Sequence, residues 1–75
     1  MTNKTFNTLN IGNFGLNLYR IRTEKKMTRE VLADLIGLET PRIIYDYENN
    51  IKRPKLERVI KIAIALGVSL DSMFH

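Results

Sequence analysis

A glycine between two short amphipathic segments, followed three residues later by a threonine–proline pair, constrains this chain more than any other feature. Thr28 offers a side-chain oxygen to the orphan amides of a helix start. Val31 follows, and Leu32, Leu35 and Ile36 recur at the spacing of one buried helical face. Gly37 then supplies the residue that most readily turns left-handed and stops a helix. Thr40-Pro41 restarts one: threonine accepts from free amides, and proline at the first helical position has no N–H to lose. Ile44 and Tyr47 fall three apart on one face of that second helix, and Asn49-Asn50 ends it.

The same reading extends outward. Residues 1–13 are polar, with Asn3, Asn7, Asn10, Asn13 and three threonines. They read as an arm outside the core, with Phe6, Leu9 and Ile11 left to pack locally or to meet a partner. A helix is expected from Phe14, capped by Asn13, with Phe14, Leu18 and Ile21 on its inner face and Leu16 alongside. Lys25-Lys26 suit its negative end. Beyond Pro54 a longer helix is expected to turn Leu56, Val59, Ile60, Ala63 and Leu66 inward and to stop at Gly67. Ser69 then caps a last turn carrying Leu70, Met73 and Phe74. The expected fold is all-α: a compact five-helix domain over residues 14–75, with no strand.

Seventy-five residues hold one small core and one binding surface, and no cysteine is present to staple them. Stability must come from helix packing and self-association. No apolar run approaches ~20 residues, so no membrane span is expected. The amino-terminal residues lack the charged-then-apolar order of an export signal. Catalysis finds no support. The single histidine is His75, Ser69 and Ser72 sit in a capping region, and Asp71 beside Ser72 is helix-start chemistry. No phosphate-binding glycine loop or metal-ligand cluster occurs, so neither cofactor nor metal is expected, and no small-molecule ligand is evident.

Two short helices joined by a glycine-containing turn form a helix-turn-helix unit, whose second helix can lie in a DNA major groove. The net charge of +4 favours a polyanionic partner, and the run Lys52-Arg53-Pro54-Lys55 is wholly basic. Double-stranded DNA is therefore the leading partner.

From Phe14-Gly15 to Phe74 the chain resembles the phage-repressor and Cro-like (XRE-type) helix-turn-helix family. The resemblance rests on Arg22 in the first helix, the Thr28…Leu32-Ala33 helix, Gly37, Tyr47-Glu48, Lys52-Arg53-Pro54 and Ala65-Leu66-Gly67-Val68-Ser69-Leu70. The spacing from Gly37 to Glu48 is one residue longer than usual, which places an extra residue in the turn near Leu38-Glu39.

The resemblance implies that the first residues of the recognition helix, and one a turn later, face bases. It assigns phosphates to the start of the preceding helix and to the loop after the recognition helix. On that basis Thr40, Pro41, Arg42, Tyr45 and Asp46 are candidate base contacts. Thr28, Arg29, Asn49, Lys52, Arg53 and Lys55 are candidate phosphate contacts. Arg42 suits a guanine edge, to which arginine donates two bonds. Asp46 has two readings, an acceptor for a cytosine amine or an intramolecular partner. Tyr45 is open between a phosphate and a sugar, and Arg29 sits where free amides already favour a phosphate. Arg22 and Glu48 match a family ion pair that orients the recognition helix.

Ile64, Leu70, Met73 and Phe74 are candidates for an apolar dimer surface, with a wide core face as the alternative for Ile64. Two-fold operators make a homodimer the expectation. The expected function is a sequence-specific DNA-binding transcriptional regulator, a repressor in a bacterial or phage-infected cytoplasm. The alternative is an antitoxin or adaptor module that works through its apolar carboxy-terminal surface.

Overall fold

The computed structural model describes the backbone of residues 2–74 and the side chains of residues 13–74. Four α-helices and a closing 3₁₀ turn make up the described residues, in the order α1 (Thr2–Glu24), α2 (Arg29–Leu35), α3 (Arg42–Glu48), α4 (Leu56–Leu66) and the turn Leu70–Phe74. The fold is all-helical. The last element is 3₁₀ rather than a fifth α-helix, because five residues leave room for little beyond one tight turn. The helical backbone of α1 already begins at Thr2, so Asn13 lies inside it and does not cap it. The side chains of Phe6, Leu9 and Ile11, and all of Met1 and His75, lie outside what is described.

Every helix closes the same way. The N–H groups of Met27, Leu38, Ile51 and Val68 donate to the carbonyls of Arg22, Ala33, Asp46 and Ala63, five residues back, at 2.8–3.1 Å. Each closure passes through one left-handed residue: Lys26 (φ 57), Gly37 (φ 80), Asn50 (φ 59) and Gly67 (φ 72). These are Schellman ends, which satisfy carbonyls that a helix terminus otherwise orphans. Two of the four carry a side chain where glycine is cheapest.

The starts are also built from side chains. Thr28 is extended (ψ 162) and its hydroxyl accepts from the Val31 N–H at 3.1 Å. Thr40 accepts from the Arg42 N–H at 3.2 Å, with Pro41 already helical in φ and ψ. Ser69 accepts from the Ser72 N–H at 3.3 Å.

The core comprises Phe14, Leu18, Ile21, Leu32, Ala33, Ile44, Tyr47, Val59, Ile62, Ala63, Leu66 and Met73. Helix α1 packs on α3 and on the 3₁₀ turn, while α2 packs on α3 and α4. Several apolar residues lie elsewhere than expected. Leu16, Leu35, Leu56 and Ile60 are exposed, and Ile62 is fully buried in their stead. On α4 the inward set is 59, 62, 63 and 66, so 56, 60 and 64 form a flanking row at a spacing of four. On α2 the inward set is 32, 33 and 36, which leaves Leu35 at the rim. Between α2 and α3, Leu38 turns half-buried onto the core while Glu39 stays in solvent.

Candidate DNA interface

Glu48, the last residue of α3, is where three elements are locked together. Its carboxylate is 2% exposed. It accepts from Arg22 Nε at 2.5 Å, from Arg22 Nη2 at 3.2 Å and from Arg29 Nε at 2.9 Å. Arg22 also donates through Nη1 to the Met27 carbonyl at 2.8 Å, so its buried charge has bonds on three nitrogens. The pair expected between Arg22 and Glu48 is therefore a triad, because α2 contributes Arg29. A buried charge is tolerable only when paired and hydrogen-bonded in this way.

Arg29 was expected on phosphate. In the structure its Nε serves Glu48, and its guanidinium lies over the Tyr45 ring at 5.2 Å from the centroid. Arg42 covers the same ring at 5.0 Å. Tyr45 is thus in cation–π contact with two arginines, each favoured by the negative face of the ring. This stack joins the start of α2 to the first turn of α3.

Asp46 continues the chain of contacts. It is buried, and its Oδ1 accepts from Arg42 Nε at 3.0 Å while Lys52 Nζ lies 3.8 Å from Oδ2. Of its two expected readings, the intramolecular one describes its position here. The Arg42 side chain is 69% exposed and that of Lys52 is 62% exposed, so both cations reach solvent from one buried carboxylate. Asn49 bonds through Nδ2 to the Tyr45 carbonyl at 2.9 Å.

Thr28, Thr40, Asn49, Arg53 and Lys55 are exposed, and Pro41 is half-buried beside Arg42. Arg53 and Lys55 line one cleft with Tyr47, Arg58 and Lys61, and Arg58 Nη1 donates to the Tyr47 hydroxyl at 3.1 Å. The loop after α3 thus presents its cations next to α3. Arg29, Arg42, Tyr45, Asp46 and Lys52 form one contiguous group, and Arg53 and Lys55 continue along the same loop.

Of the four residues expected at a carboxy-terminal apolar surface, one lies in the core. Met73 is fully buried in the core, which corrects its assignment to a dimer surface. Phe74 is half-buried with its ring 5.7 Å from that of Phe14. The Met73 carbonyl accepts from buried Asn17 Nδ2 at 3.1 Å, which ties the turn to α1. Leu70 is 38% exposed and Ile64 is 73% exposed. Ile64 shares a groove with Leu35, Ile36 and Ala65 between α2 and α4, while Phe74 lines a second apolar groove with Phe14, Leu56 and Val59.

Two contributors carried little signal in the sequence. A Cβ on Gly15 would stand 2.6 Å from the Tyr47 carbonyl oxygen and 2.7 Å from that of Glu48. Gly15 therefore lets α1 approach the backbone at the end of α3. The second is Arg58, whose bond to Tyr47 joins α4 to α3. A glycine inside a helical pattern hints at close approach without naming what approaches.

A family model described as helix-turn-helix matches residues 18–73, the span from α1 through Met73. Multiprotein-bridging factor 1 of Candida glabrata is 43% identical over 58 residues, which are 77% of this chain and 38% of that protein. The chain thus spans less than two-fifths of that relative's length, 38%. Among solved structures, the restriction-modification controller protein C.AhdI from Aeromonas hydrophila superposes with a TM-score of 0.78 at 31% identity. That match covers 83% of this chain and 92% of the controller chain.

Proposed function

This chain belongs to the XRE-type helix-turn-helix family of DNA-binding transcription regulators, and from that premise we propose that it is a repressor that binds a two-fold operator as a homodimer in the cytoplasm. The observation that carries this reading is Arg42. It stands solvent-exposed on the first turn of α3, beside a loop whose Lys52, Arg53 and Lys55 also reach solvent. Base edges are read from the amino-terminal end of a recognition helix, and flanking cations hold the backbone.

In this reading Arg42 donates two bonds to a guanine, with Thr40 and Pro41 beside it at the groove wall and Tyr45 at the sugar–phosphate edge. Thr28, Asn49, Lys52, Arg53 and Lys55 hold phosphates. Arg29 has given Nε to Glu48 and reaches a phosphate with its terminal nitrogens. Occupancy blocks the polymerase, and no bond is made or broken. The residues 1–13 serve as an extension of the domain 14–75.

Selection of bound sites from a random DNA pool tests the proposal. The expected product is a palindrome with half-site centres one helical turn apart, about 34 Å. Recovery of unrelated sequences with no shared half-site contradicts it.

A second reading has its own observation: the open groove of Leu35 and Ile64, with Ile60 exposed one turn before Ile64. An exposed apolar patch suits a protein partner, as in an antitoxin or adaptor. A partner complex that forms with Ile64→Lys as readily as with the wild type removes this reading.

A further inference from the structure

We propose that Asp46 is a positioning residue for base recognition, one that holds the Arg42 guanidinium on the face of Tyr45 in the orientation that reads a base. The inference rests on the reading of α3 as the recognition helix. It assigns Asp46 a role different from contact with a base.

Three features of Asp46 carry the inference. Its side chain is 6% exposed, on a helix whose neighbouring Arg42 is 69% exposed. Both carboxylate oxygens face cations of this chain, Arg42 Nε at 3.0 Å and Lys52 Nζ at 3.8 Å. Its backbone carbonyl is occupied as well, by the N–H groups of Ile51 and Lys52. To accept from a cytosine amine, Asp46 would have to leave both cations and bring a negative charge toward phosphates. As a holder of Arg42 it gives up nothing.

The geometry at Arg42 fits that role. Asp46 uses Nε, which leaves the two terminal nitrogens of the guanidinium to present paired donors to a guanine O6 and N7. The Tyr45 ring, its centroid 5.0 Å from the guanidinium carbon, gives that group a face to rest on. A long arginine ordinarily loses rotamer freedom when it engages a base. Here much of that freedom is already gone in the free protein. The same carboxylate links the base reader to Lys52, so recognition and backbone grip share one anchor.

The test measures operator affinity for wild type, Arg42→Ala, Asp46→Asn and the double variant, on the selected operator and on each of its single-base substitutions. Asp46→Asn is expected to lower discrimination by about fivefold at the base pair where Arg42→Ala lowers it, and by less than Arg42→Ala does. It is expected to add nothing at that position in the Arg42→Ala background. Affinity for random DNA should hold or rise, since a negative charge near the phosphates is gone.

Full discrimination by Asp46→Asn overturns the inference. So does a loss at another base pair that persists in the Arg42→Ala background, which would mean direct reading by Asp46. A wild type without sequence preference would instead defeat the reading of α3 itself. Should Asp46→Asn not fold, exchange of the Arg42 Nε proton in the wild type decides: slow exchange supports the pinned guanidinium, and exchange as fast as at an exposed arginine overturns it.

Discussion

Glu48→Gln is the perturbation that most sharply tests how α3 is held. The carboxylate is 2% exposed and takes three charge-assisted bonds, two from Arg22 and one from Arg29. Glutamine keeps the shape but turns an NH₂ toward a guanidinium, donor against donor, and leaves Arg22 buried without its counter-charge. Breaking one side of a buried pair typically costs about 3–5 kcal/mol.

A chain of 75 residues is expected to be stable by roughly 4–11 kcal/mol. The substitution therefore removes a large share of the total, with a fall in Tm of at least about 12 °C. Urea unfolding followed by far-UV circular dichroism measures it. The exposed pair Arg20–Glu24 (51% and 62% exposed) is the internal control, and Glu24→Gln should cost under about 1 kcal/mol. If Glu48→Gln cost no more than that control, Glu48 would not be the lock between α1, α2 and α3.

Three further outcomes are expected. Gly15→Ala should destabilise by about 1–3 kcal/mol in the same unfolding assay, because its methyl meets the Asn50 side chain and also the Tyr47 and Glu48 backbone carbonyls, which cannot swing aside. Lys26→Gly should stabilise by about 0.5–1 kcal/mol, since it relieves a left-handed residue at a helix end; a loss of stability would refute this. Lys52→Ala should weaken specific and random DNA alike and lower the slope of log affinity against log salt by about 1, read by fluorescence anisotropy across a salt series.

The helix order and the turns were legible in the chain because their signals are local. Thr28, Gly37, Thr40-Pro41 and Gly67 act through their own backbone and that of their neighbours, so sequence alone locates them. The inner faces were less legible. Leu35, Leu56 and Ile60 fit a helical stripe as well as Ile62 does, and the choice depends on where neighbouring helices lie. The carboxy-terminal turn shows the same limit: Met73 is as apolar as Leu70, yet Asn17 draws the chain inward and buries it.

At the candidate site residue identity was readable, and so was the Arg22–Glu48 pair, but the part played by Arg29 was not. Arg29 and Asp46 lie where a DNA contact is expected, but Glu48 and Arg42 are near enough to claim them first. Arg42 and Tyr45 are three apart on one helix and so neighbours by spacing, but no spacing rule reveals that Arg29 of α2 lies over the same ring. Lys26 and Asn50 take left-handed conformations without being glycine, each inside a local backbone closure whose bonds need no particular side chain.

The central claim is that Arg42 reads a base while the loop cations hold the backbone. Affinities of wild type and Arg42→Ala for the selected operator, each of its single-base variants and random DNA test it most directly. The expected result is a loss of about 1–3 kcal/mol for Arg42→Ala on the operator, with discrimination abolished at one base pair per half-site and random DNA bound much as before. An equal loss on every sequence would contradict the account and reduce Arg42 to one more phosphate contact.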